Sequence, residues 1–168
     1  SKFIIEGGLP LGGEVTASGN KNAALKLLPA CLLTDEPVTL HNIPNIRDVE
    51  NTILILRDLG VEMTDLGEGS WRIHAENVTK TELDPVLAAR TRASFVFAGP
   101  MLARMGRVAL TIPGGDVIGG SPHDTHVQAL TALGDAASAA GTTVFALGRI
   151  DPVALERSII GFLVNRRA

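Results

Sequence analysis

Residues 36–60 read EPVTLHNIPNIRDVENTILILRDLG, and this stretch decides the fold. Val38–Leu40 predicts a short strand, and a proline-marked turn follows it. Apolar residues then recur at helical spacing on one face: Ile46, Val49, Ile53 and Leu56. Gly60 supplies the left-handed residue that ends a helix. The stretch therefore predicts a strand followed by a helix whose apolar face packs on a sheet.

Two later segments, 106–134 and 141–165, read like residues 36–60 and indicate an internal repeat. Each opens with a β-prone run, Val108–Leu110 or Thr143–Phe145, and continues into an amphipathic helix. After Gly60 the spacing predicts two further strands, Val61–Thr64 and Trp71–His74, so that unit one is βαββ. The fold class is therefore predicted as α/β, of the α+β type, with helices packed beneath mixed sheets.

Largely apolar runs ahead of units one and two, Ala23–Leu33 and Ala93–Ala103, predict helices that Pro29 and Pro100 kink or end. A strand is expected at Glu14–Ala17. The small-residue stretch Asp135–Ala140 predicts no strand pair after Gly134, so unit two looks shortened there and 135–168 is expected to be a shortened third repeat.

Composition limits the classes of function. The 168 residues carry a net charge of −3, which shows no general attraction to nucleic acid or anionic membranes. No stretch approaches the roughly 20 uninterrupted apolar residues of a membrane span, and the first residues lack a signal-peptide pattern, so a cytoplasmic protein is expected. The lone Cys31 lies in an apolar run and is expected to be a buried structural thiol.

Ser18–Asn22 (SGNKN) lies just before the first predicted helix. Free backbone N–H groups and the positive end of the helix dipole favour an anion there, and Lys21 adds a full charge. An ordinary capped helix start with a solvated lysine fits the residues equally well.

Residues 113–124 form a glycine-rich loop after the strand of unit two, with four glycines in the seven residues 114–120. Such a loop suits a lid over a substrate, and Asp116 within it would act as a general acid if closure desolvated its carboxyl group. A flexible connector with an exposed aspartate is the competing interpretation.

Residues 90–94 (RTRAS) open the second apolar helix, where a guanidinium such as that of Arg92 can clamp a phosphate, whereas an ordinary surface arginine is the favoured interpretation for Arg90. The four histidines show no metal-ligand spacing with Cys31 or with carboxylates. No metal and no cofactor are therefore expected, and His123 is retained as a loop residue that contacts substrate.

Three motifs occur in order: Ser18–Leu25 (SGNKNAAL), Arg92–Ser94 (RAS) and Pro113–Gly119 (PGGDVIG), the last followed by Pro122 and Asp124. Together they resemble the UDP-N-acetylglucosamine 1-carboxyvinyltransferases, which are enolpyruvyl transferases of peptidoglycan synthesis. The resemblance runs from Lys2 to Gly134. It implies an inside-out α/β barrel of repeated helix–strand units in two similar domains, with the substrates bound between them.

The resemblance implies the following roles. Lys21 holds phosphoenolpyruvate, Asn22 contacts UDP-N-acetylglucosamine and Arg92 lines the phosphate region. Asp116, where most members have Cys, donates the proton, and an aspartate there implies resistance to fosfomycin, which forms a thioether with that Cys. The uridine is bordered by a short run of loop residues, namely Pro122, His123, Asp124 and Thr125.

Ser121 stands where the family usually has an arginine that grips phosphoenolpyruvate. The chain corresponds to the N-terminal portion of the family: 1–20 are expected to be strands of or near the second domain, and 21–134 the substrate-binding domain with the mobile loop 113–121. The leading hypothesis is enolpyruvyl transfer, and the alternative is a catalytically incomplete UDP-sugar-binding module, with self-association through the surface that the second domain would cover. The related enzyme of the shikimate pathway is disfavoured by the loop around Asp116.

Overall fold

The computed structural model describes residues 2–5, 7–8, 10, 12–111, 135–139 and 142–146. Helix α1 (Lys21–Ala30) runs into a 3-10 turn (Cys31–Leu33), followed by β1 (Val38–Leu40) and α2 (Arg47–Asp58). The hairpin of β2 (Glu62–Gly67) and β3 (Ser70–His74) comes next. The predicted βαββ order of unit one is therefore confirmed.

The second part of the chain begins with a short helix α3 (Pro85–Ala88), a 3-10 helix (Arg92–Phe97) and α4 (Ala98–Met105). Strand β4 (Arg107–Thr111) follows, and β5 (Asp135–Ala139) and β6 (Thr142–Ala146) are the last described elements. The predicted strands at 108–110 and 143–145 are thus confirmed.

Two antiparallel three-stranded sheets share one topology, with strand orders β1-β3-β2 and β4-β6-β5. Their registers also agree, since Val38 pairs with Ile73 in the first sheet and Val108 with Phe145 in the second. The prediction that unit two lacks paired strands after Gly134 is therefore wrong. Asp135–Ala139 is a strand, and β6 is the central strand of the second sheet rather than the opening strand of a third unit.

The free edge of β4 is covered by the segment just before α3. Ala109 donates its N–H to the Thr81 carbonyl at 2.8 Å and accepts from the Leu83 N–H at 3.2 Å. Glu82 forms a parallel bridge with Ala109. Val108, Ala109 and Leu110 are all buried, as expected for a strand that is also covered on both faces.

Helix α1 packs against α2 and against the 3-10 helix, and α2 and α4 pack on the sheets through β2 and β4. The core is aliphatic, and its largest fully buried side chains include one aromatic ring: Phe97, Leu28, Leu32, Ile55, Leu56, Leu59 and Met101. Each buried side chain of this size stabilises the fold by about 1.5–3 kcal/mol, so this layer of helices contributes much of the stability of the described part of the chain.

The two prolines act differently. Pro29 lies in the last turn of α1, which ends one residue later, as predicted. Pro100 lies in the first turn of α4, where its missing N–H removes no helical hydrogen bond. The run 93–103 is a 3-10 helix before it is an α-helix, because the Ser94 hydroxyl donates to the Thr91 carbonyl at 2.9 Å and competes with the α-helical pattern.

The first residues do not form the expected strand at Glu14–Ala17, since no ladder pairs with them among the described residues. The apolar side chains there are largely exposed: Phe3, Ile4, Ile5 and Val15. None of the helices in the described part of the chain has the length and apolarity needed to cross a bilayer.

Candidate active site

The start of α1 is set by Asn20. Its backbone is extended (φ −76°, ψ 122°), and its side-chain oxygen accepts a hydrogen bond from the Ala23 N–H at 2.9 Å. Its carbonyl accepts from the Ala24 N–H at 3.0 Å. An asparagine in this position satisfies one of the free donors of the helix end, which explains why the helix begins at Lys21.

Lys21 lies on the first turn and makes an ion pair with Asp48, on the first turn of α2. The lysine side chain is 53% exposed and that of Asp48 is 31% exposed. The starts of α1 and α2 therefore adjoin. The Asp48 carboxylate binds the same lysine that is predicted to hold an anion. An exposed pair of this kind adds about 0–1 kcal/mol to stability, so it leaves the ammonium group available to a better ligand.

Asn22 is exposed on the same turn, and its carbonyl accepts a hydrogen bond from Lys26 Nζ at 3.3 Å. Asn22 is thus an exposed residue directly after Lys21 on the first turn of α1.

Arg92 begins the 3-10 helix that packs against α1 and is half-buried. Thr91 caps this helix, and its hydroxyl accepts from the Ala93 N–H at 3.2 Å. The structure therefore brings Lys21, Asn22 and Arg92 onto the capped starts of two neighbouring helical segments. Positive charge at the start of a helical segment is the arrangement that favours an anion.

Lys21 and Arg92 occupy equivalent places in the two units. Each precedes a helical proline, Pro29 or Pro100, by eight residues, and each stands directly after a capping residue. Because the two sheets share one topology and register, the two helix starts belong to the same part of the repeated unit.

The loop between β1 and α2 supports the start of α1. A side chain on Gly19 would place its Cβ 1.7 Å from the Asn42 carbonyl oxygen, so only glycine fits there. Asn42 itself has a left-handed backbone with φ 56°. Sequence reasoning missed both Asp48 and Asn42, because an acidic residue at a helix start and an asparagine in a turn are ordinary signals.

The remaining predicted site residues lie outside the described residues. These are the proposed proton donor, the serine at the usual arginine position and the loop residues assigned to the uridine: Asp116, Ser121, Pro122, His123, Asp124 and Thr125.

A cavity of about 420 Å³ lies at the far end of α1, lined by Leu33, Thr34, Asp35, Ala103 and Arg104. The Arg104 guanidinium donates to three backbone carbonyls there, at 2.7–3.1 Å. The arginine therefore joins the end of the 3-10 turn to the segment after β3. Because Lys21 begins α1, which is about 15 Å long at 1.5 Å per residue, this cavity lies at the opposite end of the helix from Lys21.

Cys31 is buried, and its thiol donates to the Leu27 carbonyl at 3.3 Å. Burial raises the pKa of this thiol from 9.0 to about 11, so it is a structural residue and not a nucleophile, as predicted. Within the described ranges, no group of three or more His, Cys, Asp or Glu side chains is arranged to hold a metal ion.

Comparison with known proteins decides the family. The sequence profile of the EPSP synthase (3-phosphoshikimate 1-carboxyvinyltransferase) family matches residues 5–158. The chain belongs to this family. The EPSP synthase family comprises carboxyvinyl (enolpyruvyl) transferases, and so the sequence resemblance to enolpyruvyl transferases is confirmed.

Curated relatives within the family carry a more specific name. A UDP-N-acetylglucosamine 1-carboxyvinyltransferase from Bradyrhizobium diazoefficiens is 48% identical over 133 residues, and one from Borreliella burgdorferi is 47% identical over 132 residues. Each match covers 79% of this chain and 31% of the relative, so the chain spans about a third of the relatives' length.

A solved structure supports the fold. The enolpyruvyl transferase NikO from Streptomyces tendae superposes with a TM-score of 0.69 over 84% of this chain and 31% of its own length, at 20% identity. The predicted α/β class is therefore confirmed.

Proposed function

We propose that this chain forms the phosphoenolpyruvate-holding part of a cytoplasmic UDP-N-acetylglucosamine 1-carboxyvinyltransferase. The enzyme transfers the enolpyruvyl group to the 3-hydroxyl of UDP-N-acetylglucosamine and releases phosphate, the first committed step of peptidoglycan synthesis and hence of cell wall growth and division. The observation that carries the proposal is that Lys21 and Arg92 each stand directly after the cap of a helical segment, and that these two segments pack on each other. Relatives of that name at 41–48% identity support it.

Phosphoenolpyruvate carries a phosphate and a carboxylate, and the two cations match this double charge. The Lys21 ammonium exchanges its contact with Asp48 for the ligand's oxygens, and the α1 N–H groups face the same charge. Holding both acidic groups fixes the enolpyruvyl carbons relative to the attacking hydroxyl, which lowers the entropic part of the barrier.

In the proposed reaction the Asp116 carboxyl protonates the methylene carbon while the sugar 3-hydroxyl attacks the adjacent carbon. Loss of phosphate and of one methyl proton then restores the double bond. Asn22 contacts the sugar nucleotide, and residues 122–125 border the uridine. Because Asp116 lacks a thiol, the proposal also includes resistance to fosfomycin.

The exposed apolar residues at the start of the chain support a domain proposal. Phe3, Ile4 and Ile5 are each more than 80% exposed, which is unusual for side chains of this size. We assign residues 1–20 to or near the second domain of the family fold, and 21–134 to substrate binding. In isolation the same apolar segment would drive self-association, which sedimentation of the chain with and without residues 1–17 measures.

The test uses the 168-residue chain with Lys21→Ala and a matched control, Lys26→Ala, on the same helix. Calorimetric titration with phosphoenolpyruvate in the presence of UDP-N-acetylglucosamine should show at least about tenfold weaker binding for Lys21→Ala and little change for Lys26→Ala. Phosphate release above the Lys21→Ala level would demonstrate turnover. Equal binding by all three proteins would refute the proposal.

A second candidate function is UDP-sugar binding without turnover. It is favoured by the coverage of 31% of the relatives' length, because a cleft built from further parts of those proteins would supply other catalytic groups. Binding of UDP-N-acetylglucosamine without phosphate release would select this candidate.

A further inference from the structure

The loop 41–44, between β1 and α2, lies directly against the segment that leads into α1. A Cβ on Gly19 would be 1.7 Å from the carbonyl oxygen of Asn42, 2.8 Å from its carbonyl carbon and 3.0 Å from Pro44 Cδ. The backbone of the loop therefore fills the space beside Gly19, and the position of one segment determines that of the other.

Asn42 has a left-handed backbone, with φ 56°, and its side chain is exposed. Asparagine tolerates this conformation better than most residues, whereas β-branched side chains adopt it at considerable cost. The exposed side chain and the constrained backbone together indicate that the conformation of Asn42, and not its amide group, matters here.

The other side of the loop is held by the turn of the β2–β3 hairpin. Ile43 donates its N–H to the Gly69 carbonyl at 2.8 Å, and His41 Nδ1 lies 3.0 Å from the Ser70 hydroxyl. Gly69 has φ 70°, and a Cβ on it would be 2.8 Å from the Ile43 carbonyl oxygen. The loop is thus fixed between the hairpin turn and Gly19.

We propose that Asn42 is a positioning residue for the anion-binding end of α1. Its left-handed backbone places its carbonyl against Gly19, which sets the path of the chain into Asn20 and so the place of the helix cap and of Lys21. Charged groups and free N–H groups stabilise a bound anion most when they are held in place before it arrives. This proposal rests on the proposed function for the identity of the anion. The positioning of the helix start by Asn42 is measured by a separate experiment.

The test compares Asn42→Val with Asn42→Gly in the full 168-residue chain. Glycine keeps the left-handed backbone at no steric cost, whereas the β-branched side chain of valine disfavours it. Amide hydrogen exchange at Ala23 and Ala24, whose N–H groups bond to Asn20, reports the helix start. Exchange at these amides and the dissociation constant for phosphoenolpyruvate should both rise about tenfold in Asn42→Val and stay within about twofold in Asn42→Gly.

The thermal midpoint of each variant shows whether it is folded. Ser70→Ala is the milder variant, since it removes only the contact with His41, and it should raise exchange at the same two amides. A merely structural role for Asn42 would lower the midpoint and leave both the affinity and the local exchange pattern of the folded protein unchanged.

Unchanged exchange at Ala23 and Ala24 in folded Asn42→Val, or an equal increase in Asn42→Gly, would overturn the positioning role. If the unmodified chain bound phosphoenolpyruvate no better than Lys21→Ala, the proposed function would fail, and the exchange measurement would still decide the positioning role by itself.

Discussion

Replacing Gly19 by alanine adds one methyl group at the point where the α1 start meets the loop after β1. Its Cβ would lie 1.7 Å from the Asn42 carbonyl oxygen, whereas Cβ contacts below 3.0 Å essentially do not occur. The two backbones must therefore separate by more than about 1 Å, because neither contact atom belongs to a flexible side chain.

The cost follows from this displacement. Overpacking of a close contact costs about 1–3 kcal/mol, and loss of the Asn20 cap adds about 1 kcal/mol. The alanine restricts the unfolded chain, which offsets about 0.4–1 kcal/mol. The expected net destabilisation is about 1–3.5 kcal/mol, a large part of the 5–15 kcal/mol that stabilises a typical domain.

Gly12→Ala is the matched control, since a Cβ on Gly12 would have no atom within 4 Å. Urea unfolding followed by the fluorescence of Trp71, the single tryptophan, measures both variants. Gly12→Ala should lie within about 0.5 kcal/mol of the unmodified chain. If Gly19→Ala were no less stable than Gly12→Ala, the close packing of Gly19 against Asn42 would be disproved.

Two further predictions concern residues away from the anion-binding end. Arg104→Met should lower the free energy of unfolding by about 1–3 kcal/mol in urea, because the carbonyls of Leu32, Thr34 and Glu76 lose a charged donor, while the exposed Arg107→Met should change it by less than about 0.5 kcal/mol. Equal midpoints for the two variants would contradict a structural role for Arg104. Cys31, whose thiol pKa is raised by burial from 9.0 to about 11, should react with iodoacetamide at pH 8 about a hundredfold more slowly than an unstructured cysteine peptide. The pKa of this thiol is higher in the folded than in the unfolded protein, so its contribution to stability is complete below pH 9 and declines as the pH rises toward 11. Alkylation of the folded protein at the rate of the peptide would disprove the burial of Cys31.

The first repeated unit could be predicted because each of its signals is local. The apolar positions of α2 follow helical spacing, and Gly60 has the left-handed φ of 99° that its place after the helix indicates. The strands 62–67 and 70–74 are separated by Glu68 and Gly69, which both have positive φ, as does Gly67 at the end of the first strand. The local preferences of these residues agree with their tertiary structure, and where they agree the secondary structure can be predicted from the sequence.

The strand Asp135–Ala139 (DAASA) of the second unit could not be predicted from the sequence, because it has neither β-branched nor aromatic residues. Its strand pairs along its whole length with β6, so pairing with a neighbour and not intrinsic preference determines its conformation. Lys21, Asn22 and Arg92 could be named because they begin helices in recognisable motifs. Asp48 could not, since its contact with Lys21 depends on how α1 and α2 pack.

The two units carry a basic residue at the same place in the sequence pattern. Each unit has a helical segment ahead of its sheet, and a capping residue followed by a basic residue begins that segment in both: Asn20 with Lys21, and Thr91 with Arg92. The sheets repeat in strand order and the two helical segments pack on each other, so the basic residues begin two segments that are in contact. In the proposed function a ligand with a phosphate and a carboxylate uses both basic residues, whereas a ligand with a single charge would need only one of them.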